Sequence, residues 1–166
     1  MSIDIEAGSI EELIAIVLTD IRVKGFSTQQ PFIIGTIEER MLSFARNNGI
    51  TLACENLYMS AKQLQHSMRL SKSQKDLVVE DSELIAFPQA RYAMELYYDG
   101  ECFIYTNGLS KFIIRPNYEI KISRDKRKVV NFITATKSKD KKEFNGKRYI
   151  KKSPTTSLNE VVGDFL

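Results

Sequence analysis

The sequence predicts an α+β protein in which helices come first and a four- to five-stranded antiparallel sheet follows. Two observations predict it. Apolar residues recur at helical spacing as far as Phe87, and from Tyr92 onward they alternate with polar ones around Asp-Gly and Asn-Gly pairs. The charge changes sign at about the same place. Residues 1–110 carry nine Lys and Arg against fifteen Asp and Glu, whereas residues 111–152 carry fifteen against four.

Ser9 and Glu12 form a capping-box pattern, in which side chains bond the N–H groups that a first helical turn leaves without partners. Leu13, Ile16, Val17 and Ile21 then repeat at helical spacing, and Gly25 ends the helix. Residues 26–35 read as a loop holding one apolar piece, Phe32-Ile33-Ile34. Thr36 and Glu39 repeat the capping pattern before a second helix with Ile37, Met41 and Phe44 on one face, closed by Asn47-Asn48-Gly49. Ile50 to Tyr58 is predicted to be extended. Ser60, with Gln63 at the box position, begins a third helix. Its apolar face is Ala61, Leu64 and Met68, and Gln65, His66 and Arg69 point elsewhere. A polar stretch, Ser71 to Asp76, interrupts the periodicity. Leu77 to Phe87 is then a short helix expected to stop before Pro88.

Tyr92 to Tyr98 and Glu101 to Thr106 read as a hairpin about Asp99-Gly100, a pair suited to the positive φ angles of a tight turn. Asn107-Gly108 is a second such turn, leading into Lys111 to Arg115. Pro116-Asn117 begins the next strand, Tyr118 to Ser123, and Arg124 to Lys128 is a charged turn. Val129 to Thr136 is the last regular strand. Such short connections build an antiparallel meander with helices packed on one face. After Thr136 the composition becomes basic and polar, which predicts a mobile tail with a short strand at Tyr149-Ile150. The chain thus divides into a helical N-terminal extension (1–49), an α+β unit (50–137) and a basic tail (138–166).

Several function classes are excluded or disfavoured. Hydrophobic residues make up 43% of the chain and charged residues 27%, so a buried core is feasible. The apolar run Leu13 to Leu18 is far below bilayer length, and the first residues lack the order of a signal peptide, so a soluble cytoplasmic protein with no membrane partner is expected. Two cysteines, Cys54 and Cys102, and one histidine, His66, cannot make a four-ligand Cys/His zinc site. Both thiols are expected to be reduced. There is no Gly-rich phosphate loop, no Gly-x-Ser-x-Gly elbow and no carboxylate cluster of metal-nuclease type that can be placed, so no metal or other cofactor is expected.

What remains is phosphodiester chemistry from scattered polar side chains. His66 and Arg69 are three apart and share a helix face. Imidazole both takes and gives a proton near neutral pH, and a guanidinium one turn away grips phosphate with two parallel bonds. Taken alone, the pair reads more simply as a solvated helix face. Lys111 and Arg115 share one face of a strand and suit stabilisation of negative charge at phosphorus, or simply protection of a sheet edge. Thr134 and Thr136 also share a face, where two hydroxyls suit a phosphate or ribose, although threonine is a good strand former in any case. Lys121, Arg124, Lys126, Arg127, Lys128, Lys137, Lys139, Lys141 and Lys142 supply a cationic surface for nucleic acid. Tyr92, Tyr97, Tyr98 and Tyr105 are candidates for stacking on bases or on one another.

The run from about residue 50 to residue 137 resembles the barnase–EndoU–colicin–RelE-like nuclease superfamily, in particular its phage- and mobile-element-associated branches. The residues that carry the resemblance are Ser60-Ala-Lys-Gln-Leu-Gln-His66-Ser-Met-Arg69, the short helix ending at Phe87-Pro88, the strand series, and Asn131-Phe-Ile-Thr134-Ala-Thr136-Lys137. The resemblance implies helices followed by a four-stranded antiparallel sheet and metal-independent cleavage of RNA. It also implies roles: His66 and Arg69 as the helix pair, Lys111 or Arg115 as the strand cation, Thr134 or Thr136 as the late hydroxyl. The expectation is therefore an endoribonuclease acting as a phage or mobile-element effector or toxin, with RNA as partner and a protein partner or inhibitor at the N-terminal helices. The alternative is a non-catalytic phage-type protein that binds nucleic acid or a host nucleoprotein through its basic surface.

Overall fold

The computed structural model describes residues 9–68, 78–124, 126–138 and 141–151. Among them are four α-helices and a seven-stranded, mostly antiparallel sheet. The α+β class stands, and the strand count exceeds the four to five expected.

Helix α1 (Ile10–Lys24) begins as predicted, with the Ser9 Oγ accepting from the Glu12 N–H at 3.1 Å, and ends at Gly25, whose φ of 87° is left-handed. Strand β1 (Phe32–Thr36) occupies the segment expected to be a loop. Thr36 therefore ends a strand and caps nothing. Helix α2 (Glu39–Asn47) starts after Glu38, which makes no side-chain cap because its carboxylate is held by Arg40 and Tyr105. Strand β2 (Asn56–Met59) is followed by α3 (Ala61–Ser67), where the Ser60 Oγ accepts from the Gln63 N–H at 3.1 Å. Helix α4 (Asp81–Ala90) runs through Pro88 instead of stopping before it. A proline in the last turn removes one helical N–H, and Pro88 is buried there beside Phe87. The predicted segment Ser71 to Asp76 lies outside the described residues.

Strands β3 (Glu95–Tyr98) and β4 (Phe103–Thr106) form the expected hairpin, but their connection has four residues, not two. The Asp99 carboxylate accepts from the N–H groups of Glu101 and Cys102, and Asn107 does the same for Leu109 and Ser110 in the next turn. These side-chain turns leave positive φ to Gly100 and Gly108 alone. Strand β5 (Ser110–Ser123) does not break at Pro116-Asn117, and β6 (Lys126–Lys137) absorbs most of the predicted charged turn. Strand β7 (Arg148–Ile150) pairs with β3, and Ile150 is buried, so this part of the expected tail belongs to the sheet.

The sheet order is β1-β2-β6-β5-β4-β3-β7, with β2 and β6 parallel and every other neighbour antiparallel. One face carries Leu57, Leu96, Phe103, Tyr105, Phe112, Ile114, Ile133 and Ile150. It forms one core with Leu13, Ile14, Val17 and Leu18 of α1, Met41 of α2, Leu64 of α3 and Phe87 of α4. The helices before residue 50 thus share a core with the sheet. The opposite face is the one that bears the site.

Candidate functional site

Parallel pairing between β2 and β6 stops at Tyr58–Phe132, and α3, which follows β2 directly, packs against β6. Ala61 and Leu64 anchor α3 in the core. Gln63 and His66, one turn apart, border the opposite face. Between them and the strands lies a cleft of about 330 Å³ whose lining includes Gln63, His66, Arg115, Tyr118, Thr134 and Thr136.

The register explains why those strand residues meet. Lys111 stands opposite Thr136, Ile113 opposite Thr134, and Arg115 opposite Phe132, so all six share one face. Tyr118, three residues beyond Arg115, would face the other way in a regular strand. It pairs with Val130, so three steps along β5 match two along β6, and the extra residue is a bulge at Pro116-Asn117. A proline has no N–H to give a ladder, and a bulge tolerates that loss. Asn117 takes a left-handed φ of 57°, donates from Nδ2 to the Thr51 carbonyl at 2.7 Å and accepts on Oδ1 from the Ala53 N–H at 2.8 Å. The bulge is thereby pinned, and it returns Tyr118 to the face of Arg115.

His66, Arg115, Thr134 and Thr136 therefore line one cleft. Lys111 shares their face but does not line the cleft. Its ammonium lies 2.6 Å from Glu143 Oε1, in an ion pair whose side chains are only 21% and 16% exposed. The carboxylate occupies the cation that was expected to serve phosphate. Lys137 faces the other side, opposite Ser110, with Nζ 4.0 Å from Glu80. Arg69 and Lys139 lie outside the described residues, and of Lys141 and Lys142 only the backbone, in a 3₁₀ turn (Lys141–Phe144), is described.

Beyond the bulge, β5 and β6 continue as a ribbon with no further strand beside it among the described residues. Lys121, Arg124, Lys126, Arg127 and Lys128 are all exposed on it. Lys121 pairs with Arg127, so both face away from Tyr118. Arg127 lies 3.5 Å from Glu119 on the same surface. Lys128 donates to the Tyr58 hydroxyl at 2.7 Å, a bond that raises its pKa. On the face it shares with the cleft, the ribbon is stiffened by a small cluster of Tyr58, Ile120, Val130 and Phe132.

The tyrosines of the first hairpin are structural. Tyr97 stacks on Phe144, Tyr98 packs on Phe44 and Phe103, and Tyr92 accepts from Arg91. Tyr105 is fully buried and donates to Glu38, whose carboxylate also pairs with the buried Arg40 at 2.7 Å. Burial first, then the Glu38 charge, pushes the Tyr105 hydroxyl well above the usual tyrosine value. Arg91, also buried, fills the space over Gly35, where an added Cβ would stand 2.9 Å from Nη2. Tyr118, the tyrosine that does reach the cleft, follows a Pro-Asn bulge that the sequence displays only as a strand start.

A larger cleft, of about 890 Å³, lies between the 3₁₀ turn and β3. Its one charged lining side chain among the described residues is Glu95, the wrong sign for a phosphate. Among the described residues no three His, Cys, Asp or Glu side chains gather closely enough to hold a metal ion, and no helix is long and apolar enough to cross a membrane. No family model matches the chain, no curated protein is detectably similar to it, and no solved structure matches it.

Proposed function

We propose that this protein binds RNA along its basic β5–β6 ribbon and cleaves it in the His66 cleft without a metal ion. The observation that carries the reading is that one cleft is lined by an imidazole, a guanidinium and two hydroxyls from α3, β5 and β6, with the cationic ribbon starting at its rim. In the reaction the ribose 2′-oxygen bonds to phosphorus and the P–O5′ bond breaks. The products are a 2′,3′-cyclic phosphate and a free 5′-hydroxyl. His66 takes the proton from the 2′-hydroxyl or supplies one to the departing 5′-oxygen, and water exchanges the other. Arg115, half exposed and only 3.7 Å from a still more exposed Glu101, holds the non-bridging oxygens. Thr134 and Thr136 donate hydroxyl hydrogens to the same phosphate or its ribose. An RNA-directed effector or toxin would use such a site.

Incubation with total RNA in chelator tests the reading. The parent protein should generate cyclic-phosphate ends, and His66→Ala should slow this by roughly 10²–10⁴-fold while thermal unfolding stays unchanged. A variant that cleaves as fast as the parent removes His66 from the mechanism.

A second reading, nucleic-acid or nucleoprotein binding without catalysis, is favoured by the Lys111–Glu143 pair, which leaves Arg115 as the one lysine or arginine among the described cleft residues. It predicts steeply salt-dependent binding that His66→Ala does not alter.

A further inference from the structure

Past Tyr118 the cleft continues. A second depression, of about 460 Å³, runs from the 27–31 loop along α3 to β5, and it shares Gln63, Tyr118 and Phe132 with the His66 cleft. Each is of the size that holds one small ligand, about 300–1,000 Å³. We propose that this extension is a binding site for a second, unstacked nucleotide of a single-stranded RNA, next to the one whose phosphate lies at His66. The proposal rests on the RNA-binding reading of the cleft and adds a substrate class and a residue that selects it.

Three features of the extension point to a single strand. Tyr118 is 38% exposed and stacked on Phe132, with parallel rings whose centroids are 5.3 Å apart, so an aromatic plate stands where the two depressions meet. A base can lie on such a plate only when it is out of its own helical stack. The rim opposite is rich in side-chain amides, Gln29, Gln30 and Gln65, which carry both donors and acceptors and so can meet the pairing edge of a base. In a duplex that edge is occupied by the complementary strand. Lys62 on α3 also lines the extension, at a position where it can follow a sugar–phosphate chain leaving the plate. The pinned bulge links the two depressions, because without its extra residue Tyr118 would face away from Arg115.

The test uses full-length His66→Ala protein, which binds without consuming its ligand, and a short labelled RNA oligonucleotide, free or annealed to its complement. Fluorescence anisotropy at one salt concentration should show tighter binding of the single strand. Tyr118→Leu should weaken single-strand binding by about tenfold or more, as loss of one base–aromatic stack does, and leave duplex binding unchanged. Tyr118→Phe should retain single-strand affinity, and matched thermal unfolding of the two variants separates a lost contact from a lost fold. Equal loss for single strand and duplex, or no loss with leucine, overturns the proposal. If the parent cleaves RNA through His66 while Tyr118→Leu binds normally, the subsite fails alone. If nothing is cleaved but single-strand binding depends on Tyr118, the subsite stands and the catalytic reading falls.

Discussion

At the scale of single residues, the chain spends its most costly interior groups on architecture. Glu38, Arg40 and Tyr105 tie the start of α2 to β4, and Arg40 also donates to the Met94 carbonyl at 2.7 Å. Leaving a buried carboxylate one donor short costs about 1.5–3 kcal/mol, so Tyr105→Phe should lower unfolding stability by that amount at neutral pH. The pH dependence has a definite sign. Burial and Glu38 raise the folded pKa above the ordinary 10.0, so the unfolded chain ionises first. The stabilisation is complete below pH 10.0 and is lost as pH rises beyond it. The difference in chemical-denaturation stability between parent and Tyr105→Phe should therefore shrink above that point, and a constant difference would contradict the assignment. Lys111 teaches a related lesson. Its identity and strand position were legible in the sequence, but whether it meets a phosphate or Glu143 depends on where the chain returns thirty-two residues later.

At the scale of elements, the proposed function assigns gathering of the polyanion to the β5–β6 ribbon and the chemistry to the cleft. The ribbon's cations lie beyond the bulge, with Lys121 and Arg127 turned away from the cleft. Neutralising Lys121, Arg124, Lys126 and Arg127 together should flatten the dependence of log affinity on log salt by roughly 0.7 for each cation that touches single-stranded phosphate. The catalytic rate at saturating RNA should be far less affected. Titrations at several salt concentrations measure the first and single-turnover kinetics the second. An unchanged salt slope would show that RNA approaches by another surface. Alternating strand residues were readable as a pattern, and so were Ser9 and Ser60 as caps. The bulge was not, because Pro116-Asn117 fits a turn as well as it fits one extra residue, and only the pairing partner decides between them.

At the scale of the whole molecule, segments that composition separates turn out to be continuous. The core joins α1 to strands at the far end of the chain, and β7 covers the outer edge of β3. Ile150 contacts this core at 4% exposure although it lies in the most basic part of the sequence. Ile150→Ala should cost about 2–5 kcal/mol, as for other large-to-small changes in a core, readable as a lower denaturation midpoint. A change within a few tenths of a kcal/mol would mean that β7 is peripheral.

The sequence by itself determined the α+β class, the starts of α1 and α3, the two polar turns, and the sharing of a face by Lys111 with Arg115 and by Thr134 with Thr136 along their own strands. These follow from local periodicity and local hydrogen bonding, which a few consecutive residues specify. Only the tertiary structure decided that β1, β2 and β7 complete a seven-stranded sheet, that Glu143 takes Lys111, and that Tyr118 stands beside His66. Each of those outcomes depends on register and on contacts between distant segments, and strand pairing across a chain is chosen by the burial of the whole core and not by the residues of either strand alone.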